Sequence, residues 1–307
     1  MTINPILLVD AYSQIYRAYY AVRELTDAQG RPSNAIFAFS RFLLKLDKEL
    51  PTEMGAFVAD KDKCAFRLEI APDYKANRAP MPDDLKAQTP VIFELVDAFG
   101  WNNIELPGFE ADDLIAAIAA DVGGHEIRVI TPDKDMSQIV DERVKLLVPD
   151  RTGSSFECRG PAEIVKKFDV APGQIIDYLA LIGDNSDNVP GITGVGPKTA
   201  ANLLKQFGSI AAMMERTAEI KNDKLREKIA EAGELLQKNI RLITLKIDLP
   251  ESPWRPSVER LKRRAPDWTR IIEIAADYNL RSVVREIEET RTAIVPPPPV
   301  KDQMELF

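Results

Sequence analysis

The sequence predicts an α/β fold, a mostly parallel central sheet flanked by helices, joined to a helical subdomain. Three observations predict it. Through the first half, short apolar runs alternate with amphipathic stretches, the pattern of repeated strand–helix units. Asp10, Asp60 and Asp133 each close one of those runs, at the strand end where open parallel sheets hold ligands. Beyond residue 160 the strand signals fade, and prolines open successive helical stretches, a favoured first helical position.

The elements follow in chain order. Ile6–Asp10 (ILLVD), 54–60 (MGAFVAD), 127–133 (IRVITPD) and 144–150 (VKLLVPD) read as buried strands. Between them, 35–50, 82–99 and 111–122 carry apolar residues at helical spacing. The stretch after Asp10 sets Tyr16 and Tyr20 on one helix face, with Arg17 between them. Pro161–Phe168, 172–182, Pro197–Phe207 and 223–245 read as helices, and 268–289 as one or two more. From residue 294 the chain is expected to be a tail, since prolines 296–299 favour an extended polyproline conformation. The expected division is a catalytic body at 1–170, a helical DNA-binding subdomain at 171–293 and a flexible tail at 294–307.

Composition narrows the class. With 307 residues and 45% hydrophobic content, the chain can bury a sizeable core. No run approaches the roughly 20 apolar residues of a membrane span, and no signal segment opens the chain; a soluble cytoplasmic monomer is expected. Cys64 and Cys158 are too few for a disulfide framework, and one histidine, His125, excludes a histidine-rich zinc site. Lys+Arg 40 against Asp+Glu 48 gives 40 − 48 = −8. That balance opposes nucleic acid as a partner unless many of the acids are gathered in one metal site.

Such a gathering is expected of Asp10, Asp60, Glu110, Asp112, Asp113, Asp133, Asp135, Asp184 and Asp187. Taken singly, each has an ordinary explanation: a strand-end turn, a charged helix start at 110–113, a polar loop at 184–188. Together they converge, because strand ends in this architecture point to one place. Close carboxylates repel by about 4 kcal/mol per pair in a protein-like dielectric, and divalent cations relieve that repulsion. Oxygen-only ligands favour Mg²⁺ or Mn²⁺ over zinc. Two such ions can activate water and stabilise a leaving oxygen in phosphodiester hydrolysis. No calcium-binding loop pattern competes.

Gly191-Ile-Thr-Gly194-Val-Gly196-Pro197-Lys198-Thr199 is not a nucleotide-binding P-loop, because proline stands where the lysine belongs. A tight hairpin between two helices fits better, with Gly194, Gly196 and Lys198 able to meet a phosphate. A plain helix–helix turn is the competing reading. The segment Lys61, Lys63, Arg67, Tyr74, Lys75 and Arg78, punctuated by Pro72, Pro80 and Pro82, reads as a mobile basic loop clamping a polyanion.

Together ILLVDAYSQIYRAY, FVADKDKCAFR, YKANRAPMPDD, PGFEADDLIA, TPDKDMSQ and LIGDNSDNVPGITGVGPKTAANLL resemble the 5′-nuclease (flap endonuclease) superfamily, and within it the N-terminal 5′-nuclease domains of bacterial DNA polymerases I. The likeness runs in family order over about residues 6–210 and more weakly toward 290. It implies a PIN-like catalytic fold with a helix–three-turn–helix element, and cleavage of flapped, nicked or gapped DNA and of RNA in RNA–DNA hybrids, in primer removal and repair. By that resemblance the nine acids match the family's metal ligands, Arg17, Lys75 and Arg78 its phosphate-steering bases, and Tyr74 the aromatic that stacks beside the cut. The Gly194–Gly196 hairpin matches its duplex-gripping element, which can hold K⁺ on backbone carbonyls. Ala11 and Ala59 stand where the family usually has glycine and phenylalanine, and neither removes a ligand. With the sequence ending at Phe307, a free-standing nuclease and a polymerase fragment are both expected readings. Gln303, Leu306 and Phe307 resemble the peptide by which bacterial repair enzymes bind the sliding clamp. A non-catalytic junction scaffold and a PIN-type ribonuclease are the rival functions.

Overall fold

The computed structural model describes residues 5–150, 155–249 and 258–294, with side chains to residue 290. The proposed tail peptide, including Gln303, Leu306 and Phe307, lies outside the described residues. Strands are β1 (Ile6–Asp10), β2 (Gly55–Ala59), β3 (Asn102–Glu105), β4 (Ile127–Ile130), β5 (Val144–Pro149), β6 (Phe156–Arg159), β7 (Gly183–Asp184) and β8 (Val189–Pro190). Helices are α1 (Ala11–Ala21), α2 (Asn34–Glu49), α3 (Ala65–Ile70), α4 (Asp83–Ala98), α5 (Ala111–Asp121), α6 (Pro161–Phe168) and α7 (Ile175–Ile182). They continue with α8 (Pro197–Phe207), α9 (Ile210–Glu215), α10 (Asp223–Glu231), α11 (Gly233–Ile243), α12 (Trp268–Asp277) and α13 (Arg281–Ile294). Among the described residues no helix is long and apolar enough to cross a membrane.

The chain forms two compact units, each built from three segments. The first gathers the described residues of 1–14, 52–81 and 102–263. It holds a six-stranded sheet in the order β3-β2-β1-β4-β5-β6. The first five strands are parallel, as expected, and β6 adds an antiparallel edge to β5. Central strands β1, up to its closing Asp10, and β2 are apolar and buried, the reading of strands covered on both faces. Helix α5, rich in alanine and buried from Leu114 to Ala119, packs on β1 and β2. The second half of this unit is helical, α7 packing against α8 and α11.

The second unit comprises the described residues of 15–51, 82–101 and 264–307. Helices α2, α4, α12 and α13 pack there, α4 on α2 and α12, and α13 on α2 and α12. Gln88 is buried between α4 and α2, its Oε1 accepting the Ala35 amide at 2.8 Å. At Gly100 a Cβ would lie 2.1 Å from the Arg264 carbonyl oxygen, so only glycine permits that approach.

Candidate metal centre

Strand ends set the first carboxylates. β1 places Asp10 at its C-terminus, Asp60 follows β2, and Asp133 lies three residues beyond β4. Each is fixed by a donor close in the fold. Asp10 accepts from the Ser13 amide (3.1 Å) and from Thr131 Oγ1 (3.0 Å), and Thr131 in turn accepts the Asp133 amide. Asp60 Oδ1 accepts the Ala111 amide at 2.6 Å, an open donor at the start of α5. Asp133 Oδ1 accepts the Asp135 amide at 2.8 Å.

These acids repel one another. Burial, with Asp60 and Asp133 nearby, pushes the Asp10 carboxyl up to about 6. Burial pushes Asp112 well above the usual carboxylate range, with Asp133, Asp10 and Asp60 adding to it. Asp133 is raised by burial and by Asp187 and Asp184. Asp135 is pushed up to about 8 by burial and by Asp133, Asp184 and Asp187. Asp135, Asp184 and Asp187 each offer an oxygen within 4.8 Å of the others. These latter two come from the short antiparallel clip of β7 and β8, whose turn the sequence read as a polar loop. Asp135 Oδ1 is buried without a hydrogen-bond partner, a costly state unless a cation satisfies it. The donor set is all carboxylate, so these residues fit a hard divalent ion.

Basic groups line the same pocket. Lys75, at a left-handed φ of 56°, donates from Nζ to Glu110 Oε1 at 2.6 Å and lies 3.7 Å from Asp187. Arg78 donates to Asp187 Oδ1. Lys134 Nζ reaches Asp184 Oδ1 at 2.9 Å. Burial opposes ionisation of Asp184, but Lys134 and Ser186 outweigh it and hold the carboxyl below its ordinary value. Arg17 sits on α1 in the second unit.

Two residues take positions other than those the sequence suggested. Arg67, read as part of a mobile clamp, lies on α3 with its side chain 2% exposed. Its guanidinium meets Asp113 at 2.6 and 2.8 Å, Glu110 at 2.9 Å, the Leu242 carbonyl at 2.8 Å and Cys64 Sγ at 3.4 Å. Asp113 also accepts the Glu110 and Lys246 amides. With both oxygens committed, Asp113 anchors Arg67, and the Cys64–Glu110–Asp113 group holds a guanidinium where an ion would sit. Tyr74 is also buried, its hydroxyl 2.9 Å from Asp187 and 3.1 Å from Glu110. The ring packs with the core of the first unit, and burial beside two carboxylates raises its hydroxyl pKa.

The Gly191–Gly196 hairpin lies between β8 and α8. Gly194 adopts φ 90°, which favours glycine, and Pro197 opens α8 with Gly196 as its cap. Thr193, Gly194 and Lys198 are exposed. Lys228 of α10 donates to the Thr193 carbonyl at 2.8 Å. Sequence reasoning missed Lys134, Thr131 and Ser186. The Asp-Lys-Asp spelling was the available signal for the first.

The chain is similar to known proteins along most of its length. Residues 5–169 match the family described as 5′-3′ exonuclease, N-terminal resolvase-like domain, and residues 170–269 match 5′-3′ exonuclease, C-terminal SAM fold. A 5′-3′ exonuclease of Aquifex aeolicus is 37% identical over 285 residues, covering 92% of this chain and 94% of that protein. The thermostable DNA polymerase I of Thermus thermophilus is 39% identical over 80% of this chain, which spans 29% of the polymerase. The phage T5 D15 protein, crystallised with metal ions, shares the fold at a TM-score of 0.62 and 22% identity, covering 95% of this chain and 99% of that one. The catalytic core of Rad2, solved with a DNA substrate, does so at 0.62 and 18%, covering 95% and 93%. With family matches running almost unbroken from residue 5 to residue 269, the chain belongs to the 5′-3′ exonuclease family.

Proposed function

We propose that this chain is a divalent-metal-dependent, structure-specific 5′-nuclease. It would hydrolyse phosphodiesters in flapped, nicked or gapped DNA and in RNA–DNA hybrids during primer removal and repair, as a cytoplasmic monomer. One observation carries the reading: Asp10, Asp60, Asp112, Asp133, Asp135, Asp184 and Asp187 form one mutually repelling pocket with an unpartnered buried oxygen at Asp135. The ligands would be Asp10, Asp60, Asp112 and Asp133 for one Mg²⁺, and Asp135, Asp184 and Asp187 for a second, with Mn²⁺ as substitute. Bound there, such ions supply Lewis-acid activation of water and charge stabilisation at the leaving oxygen.

The chain's own groups do the rest. Thr131 and the Ser13 amide hold Asp10 in orientation, and the start of α5 holds Asp60. Lys75 and Arg78, paired to Glu110 and Asp187, would take a phosphate's charge in exchange. Arg17 is assigned the same role on sequence grounds. The body at 1–170 would carry the chemistry. The subdomain at 171–293 would hold duplex through Gly194, Gly196 and Lys198, with K⁺ on the hairpin carbonyls. Gln303, Leu306 and Phe307 would tether the chain to a sliding clamp.

The test is cleavage of a 5′-labelled flap duplex in Mg²⁺, with EDTA and a single-stranded RNA as comparators. A cut near the flap junction that EDTA abolishes supports the reading. Cleavage of the RNA alone, or none in Mg²⁺, would overturn it.

A further inference from the structure

The Asp135–Asp184–Asp187 triad already holds cations of the chain itself. Asp187 accepts from Arg78 and lies against the Tyr74 hydroxyl. Asp184 Oδ1 takes the Ser186 amide at 2.9 Å, the Ser186 hydroxyl at 2.6 Å and Lys134 Nζ at 2.9 Å. Asp135 Oδ1 has no such partner. The asymmetry lies in the lysine. Its side chain is 34% exposed while the Asp184 side chain is 4% exposed, so the cation can reach water and the anion cannot. A lysine ammonium is a compact, well-hydrated charge on a flexible four-carbon stem, suited to leaving one position for another. A divalent ion among these three carboxylates would compete with that ammonium for Asp184 Oδ1, because like charges at such range repel strongly.

We propose that Lys134 is the resident counter-ion of Asp184 and is exchanged for the divalent ion at the triad. It thereby sets the ion affinity there and keeps Asp184 in place while metal is scarce. The inference rests on the metal-dependent reading above. Lys134 is a positioning residue, since it acts through a ligand.

Mn²⁺ binding to the full chain without DNA, followed by the EPR signal of free ion, compares the natural protein with Lys134→Met and Lys134→Arg. Lys134→Met should tighten the triad's site, seen as a roughly three- to tenfold shift of one of the binding constants at unchanged stoichiometry, with Lys134→Arg within about twofold of the natural protein. Equal or weaker binding by the methionine variant overturns the exchange. No Mn²⁺ bound by any of the three overturns the metal reading itself, a distinct result. Where the methionine variant does not fold, the natural protein supplies the test. Mn²⁺ should raise labelling of Lys134 by an amine-reactive reagent, read by peptide mass spectrometry, and unchanged labelling overturns the proposal.

Discussion

Arg67 and Asp113 make a fully buried ion pair, and breaking such a pair from one side costs about 3–5 kcal/mol. Arg67→Met should therefore lower unfolding free energy by about that amount, as urea titration in EDTA would measure, and Asp113→Leu added to it should recover little, because the Glu110 and Lys246 amides lose their acceptor. Asp112→Ala and Asp184→Ala should behave oppositely. Each removes a carboxylate from a crowded pocket, so the fold should persist while cleavage is lost and DNA affinity is kept or rises. Near-native turnover by either in Mg²⁺ would sink the assignment. The strand-end acids were legible because sheet architecture tells where strand ends go. Arg67 was not, because an arginine in a basic, proline-punctuated segment ordinarily stays in water. Its burial depends on Asp113 and on the Leu242 carbonyl, distant in sequence.

At the scale of elements, the β7–β8 clip is the tightest constraint near the site. Gly183 adopts φ 78° and ψ 175°, and a Cβ there would meet the Gly191 nitrogen at 2.3 Å. Gly183→Ala should cost at least about 3 kcal/mol and disturb Asp184, its neighbour. Gly196→Ala meets nothing within 4 Å and has ordinary φ, so its melting temperature should stay near that of the natural protein. Differential scanning calorimetry of the two checks the contrast. Strands β1, β2, β4 and β5 were legible as apolar runs. β3 (NNIE) and β6 (FECR) were not, because edge strands carry few apolar residues and their pairing is decided by the sheet. The basic segment expected as a loop contains α3. The stretch 223–245, expected as one helix, breaks at Ala232 between α10 and α11.

For the molecule as a whole, the pocket makes stability depend on pH in a definite direction. Asp10 and Asp135 have folded-state pKa values, about 6 and about 8, above the unfolded aspartate value of about 3.9. The folded state therefore holds protons that the unfolded state releases. Their contribution is fully present below that unfolded value and is lost as pH rises through the folded ones. The metal-free protein should accordingly melt at progressively lower temperature from about pH 4 to about pH 8, the interval between the unfolded and folded values, and Mg²⁺ should flatten the decline. Thermal scans in EDTA and in Mg²⁺ would show it; a metal-free melting temperature that rises over the same span contradicts the pocket electrostatics.

The interleaving of the two units bears on how the protein is made. In the second unit, α4 packs on α12 and α2 on α13, with Arg270 paired to Glu94 and Arg41 to Glu286. A ribosome delivers α2 and α4 long before it delivers α12 and α13. Helices α2 and α4 can cover one another, but the faces that α13 and α12 will cover must wait while the whole of 102–263 is synthesised. Contacts so distant in sequence slow folding and prolong exposure to aggregation. Vectorial synthesis thus leaves the faces of α2 and α4 that meet α13 and α12 open to water until those two helices emerge.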